Sequence, residues 1–198
     1  MNTRIEKDFT FQAAIHFQDK FILNIYELSL SMLVQTESIR EQNIAMDRIS
    51  YFIDGCLENA IFVDQHDIKS IEKYGGAGIN VCTLPEEPYD QIIALVLISK
   101  LNAIMEDRII VTDAVMGSKL SDGVRFAISD EMTSNAFEEG WWFSATPSYS
   151  NIEKSKAKKD KIVKLFKHKD WTLLGLTWKE TCPQDTNILS LSESDKNP

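Results

Sequence analysis

Asp64, His66 and Asp67, three residues within a four-residue stretch, are the side-chain types that hold a metal ion or orient an imidazole as a general base. Asp113, just after the run Ile109-Ile110-Val111-Thr112, supplies a further carboxylate. The same spacing suits a solvated turn after a helix, and no His-x-x-x-His pair strengthens the metal reading. Cys82 beside a strand end offers a nucleophile, but nothing basic lies near it in sequence, which favours a core thiol. Gly75-Gly76-Ala77-Gly78 invites comparison with phosphate-cradling loops, yet a strand follows where such loops need a helix, so a flexible turn is expected. Gly117-Ser118-Lys119 lacks the earlier glycine of a Walker-type loop, and no G-x-S-x-G elbow is present. These motifs imply no cofactor.

The C-terminal third carries a second constellation. All four tryptophans, Trp141, Trp142, Trp171 and Trp178, lie there, flanking residues 154–169 with eight lysines and one aspartate. That segment is +7 and the rest of the chain −16, within a net charge of −9. Lys158, Lys159, Lys161 and Lys164, with Trp141, Trp142 and Trp171, can hold phosphates and stack bases, the chemistry of a nucleic-acid interface. Two rivals stand beside that reading: a solvated lysine face over a small aromatic core, and a surface that docks an acidic protein face, including that of a second copy, with the tryptophans as anchors. The acidic body disfavours general binding to nucleic acid.

Periodicity supplies the elements that must position these residues. Residues 9–17 start with strict apolar/polar alternation, 18–20 make a short polar break and the largely apolar run 21–26 follows. Together they predict an N-terminal β-hairpin, with 28–34 extending it or starting a helix. Ser38 and Glu41 fit a capping box. Behind it Ile49, Phe52, Ile53, Cys56, Leu57 and Ala60 fall at helical spacing, and Ile68 to Tyr74 suit a short helix. Residues 79–84 read as a strand. Residues 88–107 read as a helix apolar on every face between Ile92 and Ile98, and therefore sequestered. Residues 108–113 read as a strand completing a βαβ unit, followed by a loop over 117–123 and an antiparallel strand over 124–128. Trp141 to Thr146 suggest a further strand, and 162–166 suit a helix or a hairpin with 171–178.

The fold class expected is α/β or α+β: a mixed sheet with a central βαβ unit, an N-terminal hairpin and two main helices. Residues 1–180 are expected to form one globular domain, and the polar residues 181–198 a disordered tail. The first residues lack the apolar core of a signal peptide. The longest apolar run is seven residues, too short to span a membrane, and the three scattered cysteines fit a reducing cytoplasm.

Two stretches, Asn43-Ile44-Ala45-Met46-Asp47-Arg48-Ile49-Ser50-Tyr51-Phe52 and Leu84-Pro85-Glu86-Glu87-Pro88-Tyr89-Asp90-Gln91, resemble small uncharacterised proteins encoded by large tailed bacteriophages. The resemblance covers roughly residues 40–128. It implies a bacterial cytoplasm and a role in virion assembly or host takeover, and it transfers no functional residue. The leading expectation is a non-catalytic protein-binding protein, an adaptor, assembly factor or inhibitor. A nucleic-acid-binding accessory protein comes second and a metal-dependent hydrolase third.

Overall fold

Alternation along the first 34 residues builds the centre of the sheet. A computed structural model describes residues 3–129, 137, 140–149 and 174–178. Strand β1 (Arg4–Phe17) buries Phe9, Phe11, Ala13 and Ile15 on one face, and β2 (Lys20–Val34) buries Tyr26, Leu28, Leu30, Met32 and Val34 on the same face. The two pair antiparallel along their whole length, from Arg4↔Leu33 to Phe17↔Lys20. Gln18 and Asp19 close the hairpin with φ of 48° and 59°, the left-handed pair that matches the twist of the strands. Residues 28–34 therefore stay in the strand, because only a period of two puts Leu28, Leu30, Met32 and Val34 into one core.

The remaining strands add to the two edges of this hairpin. On the β1 side lie β3 (Ile61–Asp64) and β4 (Val81–Leu84), both parallel to β1; on the β2 side lie β5 (Ile109–Ser118) and β6 (Arg125–Ser129), each antiparallel to its neighbour. The result is an α+β fold with a six-stranded mixed sheet in the order β4-β3-β1-β2-β5-β6. The expected βαβ unit is present as β4, the long helix and β5, though its two strands are not neighbours. β4 and β5, on either side of the long helix, are parallel, but β3, β1 and β2 stand between them. The full-length hairpin already fills the centre and leaves only its outer edges open. The adjacent parallel pair is β3 and β4, joined by the short helix α2 (Ile68–Gly76) at the sheet's edge.

Helix α1 (Ile39–Ser50) starts at Ser38, whose side chain accepts from the Glu41 N–H. The Glu41 carboxylate turns to the Thr36 hydroxyl instead of closing the box. From Tyr51 to Leu57 the helix widens to π geometry while still burying Phe52, Ile53, Cys56 and Leu57. Gly55 leaves room for Tyr51 there, since a Cβ would stand 3.3 Å from that ring. Helix α3 (Asp90–Met105) is the sequestered helix expected, with every residue from Val96 to Leu101 buried. It lies on the core face of the sheet with α1. Helix α2 covers the opposite face at one corner, where Ile71 and Tyr74 meet Ala14, Ile61, Val63 and Val81. Gly75 and Gly76 finish that helix, and the turn proper is Ala77-Gly78, with Gly78 at φ 80°.

The strand expected at Trp141 to Thr146 is corrected by the structure. Trp141–Phe143 form a 3-10 turn, closed by the Phe143 N–H on the Gly140 carbonyl at 3.1 Å. Two consecutive indoles are both buried, at 3% and 2% exposure, which alternating strand faces would not allow at a one-sided sheet. Both pack against the α3 layer, and Trp141 meets the sheet through its indole N–H, which donates to the Thr83 carbonyl at 2.8 Å. No helix among the described residues is long and apolar enough to cross a membrane.

Candidate functional site

The four metal candidates do not converge. Asp64 ends β3 and bends into a turn, accepting the His66 backbone N–H at 2.8 Å and lying 2.8 Å from that exposed ring's Nδ1. Asp67 caps α2 by accepting the Ser70 N–H at 3.1 Å, and its other oxygen faces the largely buried His16 at 3.1 Å. Hydrogen bonds from Ser70, with His16 adding to them, hold the Asp67 carboxyl below its ordinary value. Asp113 pairs with Ser31 in β5, takes the Thr112 hydroxyl at 2.9 Å and faces Arg4 at 3.6 Å, with β1 and β2 between it and β3. Among the described residues, no group of three or more His, Cys, Asp or Glu is placed to hold a metal ion. Local spacing brought three residues into one turn, but capping and pairing already engage them.

The Lys/Trp constellation divides in the same way. Trp141 and Trp142 are core side chains, packed edge to face 5.9 Å apart, and so cannot serve as surface anchors or stack bases. Lys158, Lys159, Lys161, Lys164 and Trp171 lie outside the described residues. Trp178 is packed among charges: Arg48 stands 4.0 Å and Arg108 4.5 Å from its ring, and its indole N–H donates to Glu106.

Two buried cations escaped the sequence reading. Arg48 donates to the Leu176 carbonyl at 2.8 Å, the Ile104 carbonyl at 2.7 Å and Glu106 at 2.8 Å, fastening residues 174–178 to α1 and α3. Lys100 is fully buried, and its ammonium donates to the carbonyls of Trp141 (3.0 Å), Ser144 (2.7 Å) and Thr146 (2.6 Å). Three carbonyls for three N–H groups satisfy the ammonium. Burial nonetheless pulls its pKa from 10.5 down to about 7, while the nearby thiols of Cys56 and Cys82 oppose that shift. Burial likewise pushes the Cys56 thiol up to about 12 and Cys82 well above its ordinary value, so Cys82 is an inert core thiol. The signal for Lys100 was legible: one lysine inside a helix apolar on every face.

A surface of a different kind remains. β1, β3, β4 and β5 are mutually parallel, so the connections at 18–19, 65–67, 85–89 and 119–124 all lie at one end of the sheet. Six of the eight large apolar side chains exposed among the described residues belong to elements that meet at that end, on both faces of the sheet: Phe21, Leu23, Ile68, Tyr89, Leu120 and Val124. Phe21 leans on Tyr74 of α2, with ring centres 6.1 Å apart, and Phe17 packs edge-on against Tyr89 at 5.4 Å. The Ser118 hydroxyl donates to Asp90 at 2.7 Å and ties the end of β5 to the start of α3. A recess of about 310 Å³ opens beside it, lined in part by Ile25, Gly117, Val124 and Arg125. A Cβ at Gly117 would stand 3.0 Å from the Arg125 side chain, which would have to give by a few tenths of an ångström to admit it.

No protein-family model matches the chain, and no curated protein matches it. The crystal structure of an uncharacterized protein from Wolinella succinogenes superposes on it with a TM-score of 0.48 at 11% identity, covering 66% of this chain and 99% of the other. At that level the likeness says nothing of function.

Proposed function

We propose that this is a non-catalytic protein-binding protein that docks a partner on the strand-end surface. The observation that carries the reading is that Phe21, Leu23, Ile68, Tyr89, Leu120 and Val124 are all exposed and all belong to elements that meet at one end of the sheet. Each leaves apolar area in water at roughly 25 cal/mol per Å², and exposed apolar groups gathered in one place mark interfaces where single scattered ones do not. The surface is also held in shape by its neighbours. Pro88 is buried before α3, Ser118 holds Asp90, and the 3-10 turn Lys119–Ser121 rests against β2. A preorganised surface loses little entropy on docking. An adaptor, assembly factor or inhibitor in a bacterial cytoplasm, the setting implied by the phage resemblance, fits this reading.

The test is a double substitution, Leu23→Glu with Val124→Glu, at positions 56% and 53% exposed whose change leaves the core intact. The wild-type chain is expected to capture a defined partner that the folded double variant loses. Equal capture by both proteins refutes the assignment of this surface.

A further inference from the structure

We infer that the segment seated on the strand-end surface is a cationic amphipathic stretch of another protein, one that alternates lysine or arginine with apolar side chains. The inference rests on the docking role proposed for this surface and adds the chemistry of what docks there. Its basis is a pattern repeated around that end of the sheet. Asp19 stands two residues before Phe21, Glu86 and Glu87 precede Tyr89, and Asp122 lies between Leu120 and Val124. These four carboxylates are exposed, and none has an ion-pair partner among the described residues. Counted over residues 17–20, 64–68, 85–90 and 119–124, seven acidic residues face two lysines, a formal −5 with His66 neutral.

Turn geometry explains only part of this. Asp19 and Asp122 have φ of 59° and 49°, a conformation that Asn or Gly would adopt as readily without the charge. The Glu87 carboxylate accepts the Tyr89 hydroxyl at 2.8 Å and so keeps its charge beside that anchor, while Glu86 occupies no left-handed turn position. Carboxylates spaced around apolar anchors attract a partner of opposite sign, repel acidic ones and set its register, while the apolar contacts hold it. A uniformly basic segment without apolar side chains would leave the anchors wet, and an uncharged apolar one would leave the carboxylates unmatched.

The experiment uses the full chain and two synthetic peptides of equal length, one alternating lysine with leucine and the other glutamate with leucine. The lysine peptide is expected to bind at least tenfold tighter than the glutamate peptide. Its affinity should fall on the order of tenfold between about 0.05 and 0.3 M salt, as screening of exposed charges requires. Glu86→Lys, Glu87→Lys and Asp122→Lys together should abolish the preference, and Leu23→Glu with Val124→Glu should abolish binding; circular dichroism and an unchanged urea midpoint confirm that both variants fold. Equal binding of the two peptides, binding of neither, or a preference the charge reversal leaves in place overturns the inference. So does concentration-dependent self-association that disappears when Lys158, Lys159, Lys161 and Lys164 are replaced, because the occupant is then a second copy. If a partner is captured through Leu23 and Val124 while neither peptide binds, the docking surface stands and only the charge of its occupant is wrong.

Discussion

Raising the pH should stabilise this protein over a narrow window, and Lys100 is the reason. Its ammonium is fully buried, and burial lowers its pKa from 10.5 to about 7. Below about pH 7 the side chain is charged in both the folded and unfolded chains, and the fold bears the whole cost of burying that charge, about 5 kcal/mol by the difference in proton affinity. Between about pH 7 and 10.5 the unfolded chain still holds a proton that the folded one has released, so stability rises with pH by up to about 1.4 kcal/mol per pH unit. A second effect ends the rise. Unfolded thiols ionise from about pH 8.5, while the folded chain keeps Cys56 protonated to about 12 and Cys82 well above its ordinary value. Two thiols outweigh one lysine, so the slope then reverses. The expected profile climbs by about 1 kcal/mol from about pH 7 to 8.5 and falls beyond, against the about 5–15 kcal/mol typical of a domain. The lysine gain is only half-developed at about pH 7, and the thiols offset part of it by about pH 8.5. Urea unfolding at half-unit pH steps, followed through the buried Trp141 and Trp142, measures it. Lys100→Met should flatten the climb while leaving the carbonyls of Trp141, Ser144 and Thr146 without their donor, at a cost of about 1–3 kcal/mol each, offset in part by the charge no longer buried. A wild-type profile that is flat or falling from pH 7 to 8.5 refutes the reasoning, whether or not the Met variant folds.

Trp178→Ala should cost about 1–3 kcal/mol in urea unfolding, because the indole contacts both Arg48 and Arg108 and donates to Glu106. The same change should blunt acid sensitivity. Burial alone would raise the Glu106 pKa, but hydrogen bonds from Arg48 and Trp178 hold it below 4.5, so the stability it contributes is lost as pH falls through that lowered value. With Cys182→Ser in place, Cys56 and Cys82 should resist a thiol reagent at neutral pH until denaturant is added; rapid labelling of either in the folded protein contradicts their burial. Ser118→Ala should destabilise by about 0.5–1.5 kcal/mol through loss of the bond to Asp90 and loosen the strand-end loops, seen as faster amide exchange over residues 119–124.

Local chemistry was enough for most of the elements, though not for the turn at Trp141–Phe143 or the strand state of residues 28–34. Alternation at the start of residues 9–17, the polar break at 18–20 and the apolar run after it specify the hairpin, two strand-length segments joined by a short turn. The all-round apolar character of Ile92 to Ile98 requires a helix in the interior, and Val96 to Leu101 are buried accordingly. Strand order was out of reach, since the β1–β2 hairpin forms locally and the later strands must take whichever edges it leaves. That competition, absent from any window of sequence, separates β4 from β5 by three strands. Tertiary packing also decides the roles of single residues. Asp113 carries the same carboxylate as Asp64, but strand register sends it to Arg4, and Trp141 and Trp142 become core because α3 offers apolar surface to both. The candidate surface arises in the same way. Phe21, Tyr89 and Leu120 lie far apart in the chain and are unremarkable one by one; parallel strands deliver them to one end because every strand that runs the same way finishes on the same side.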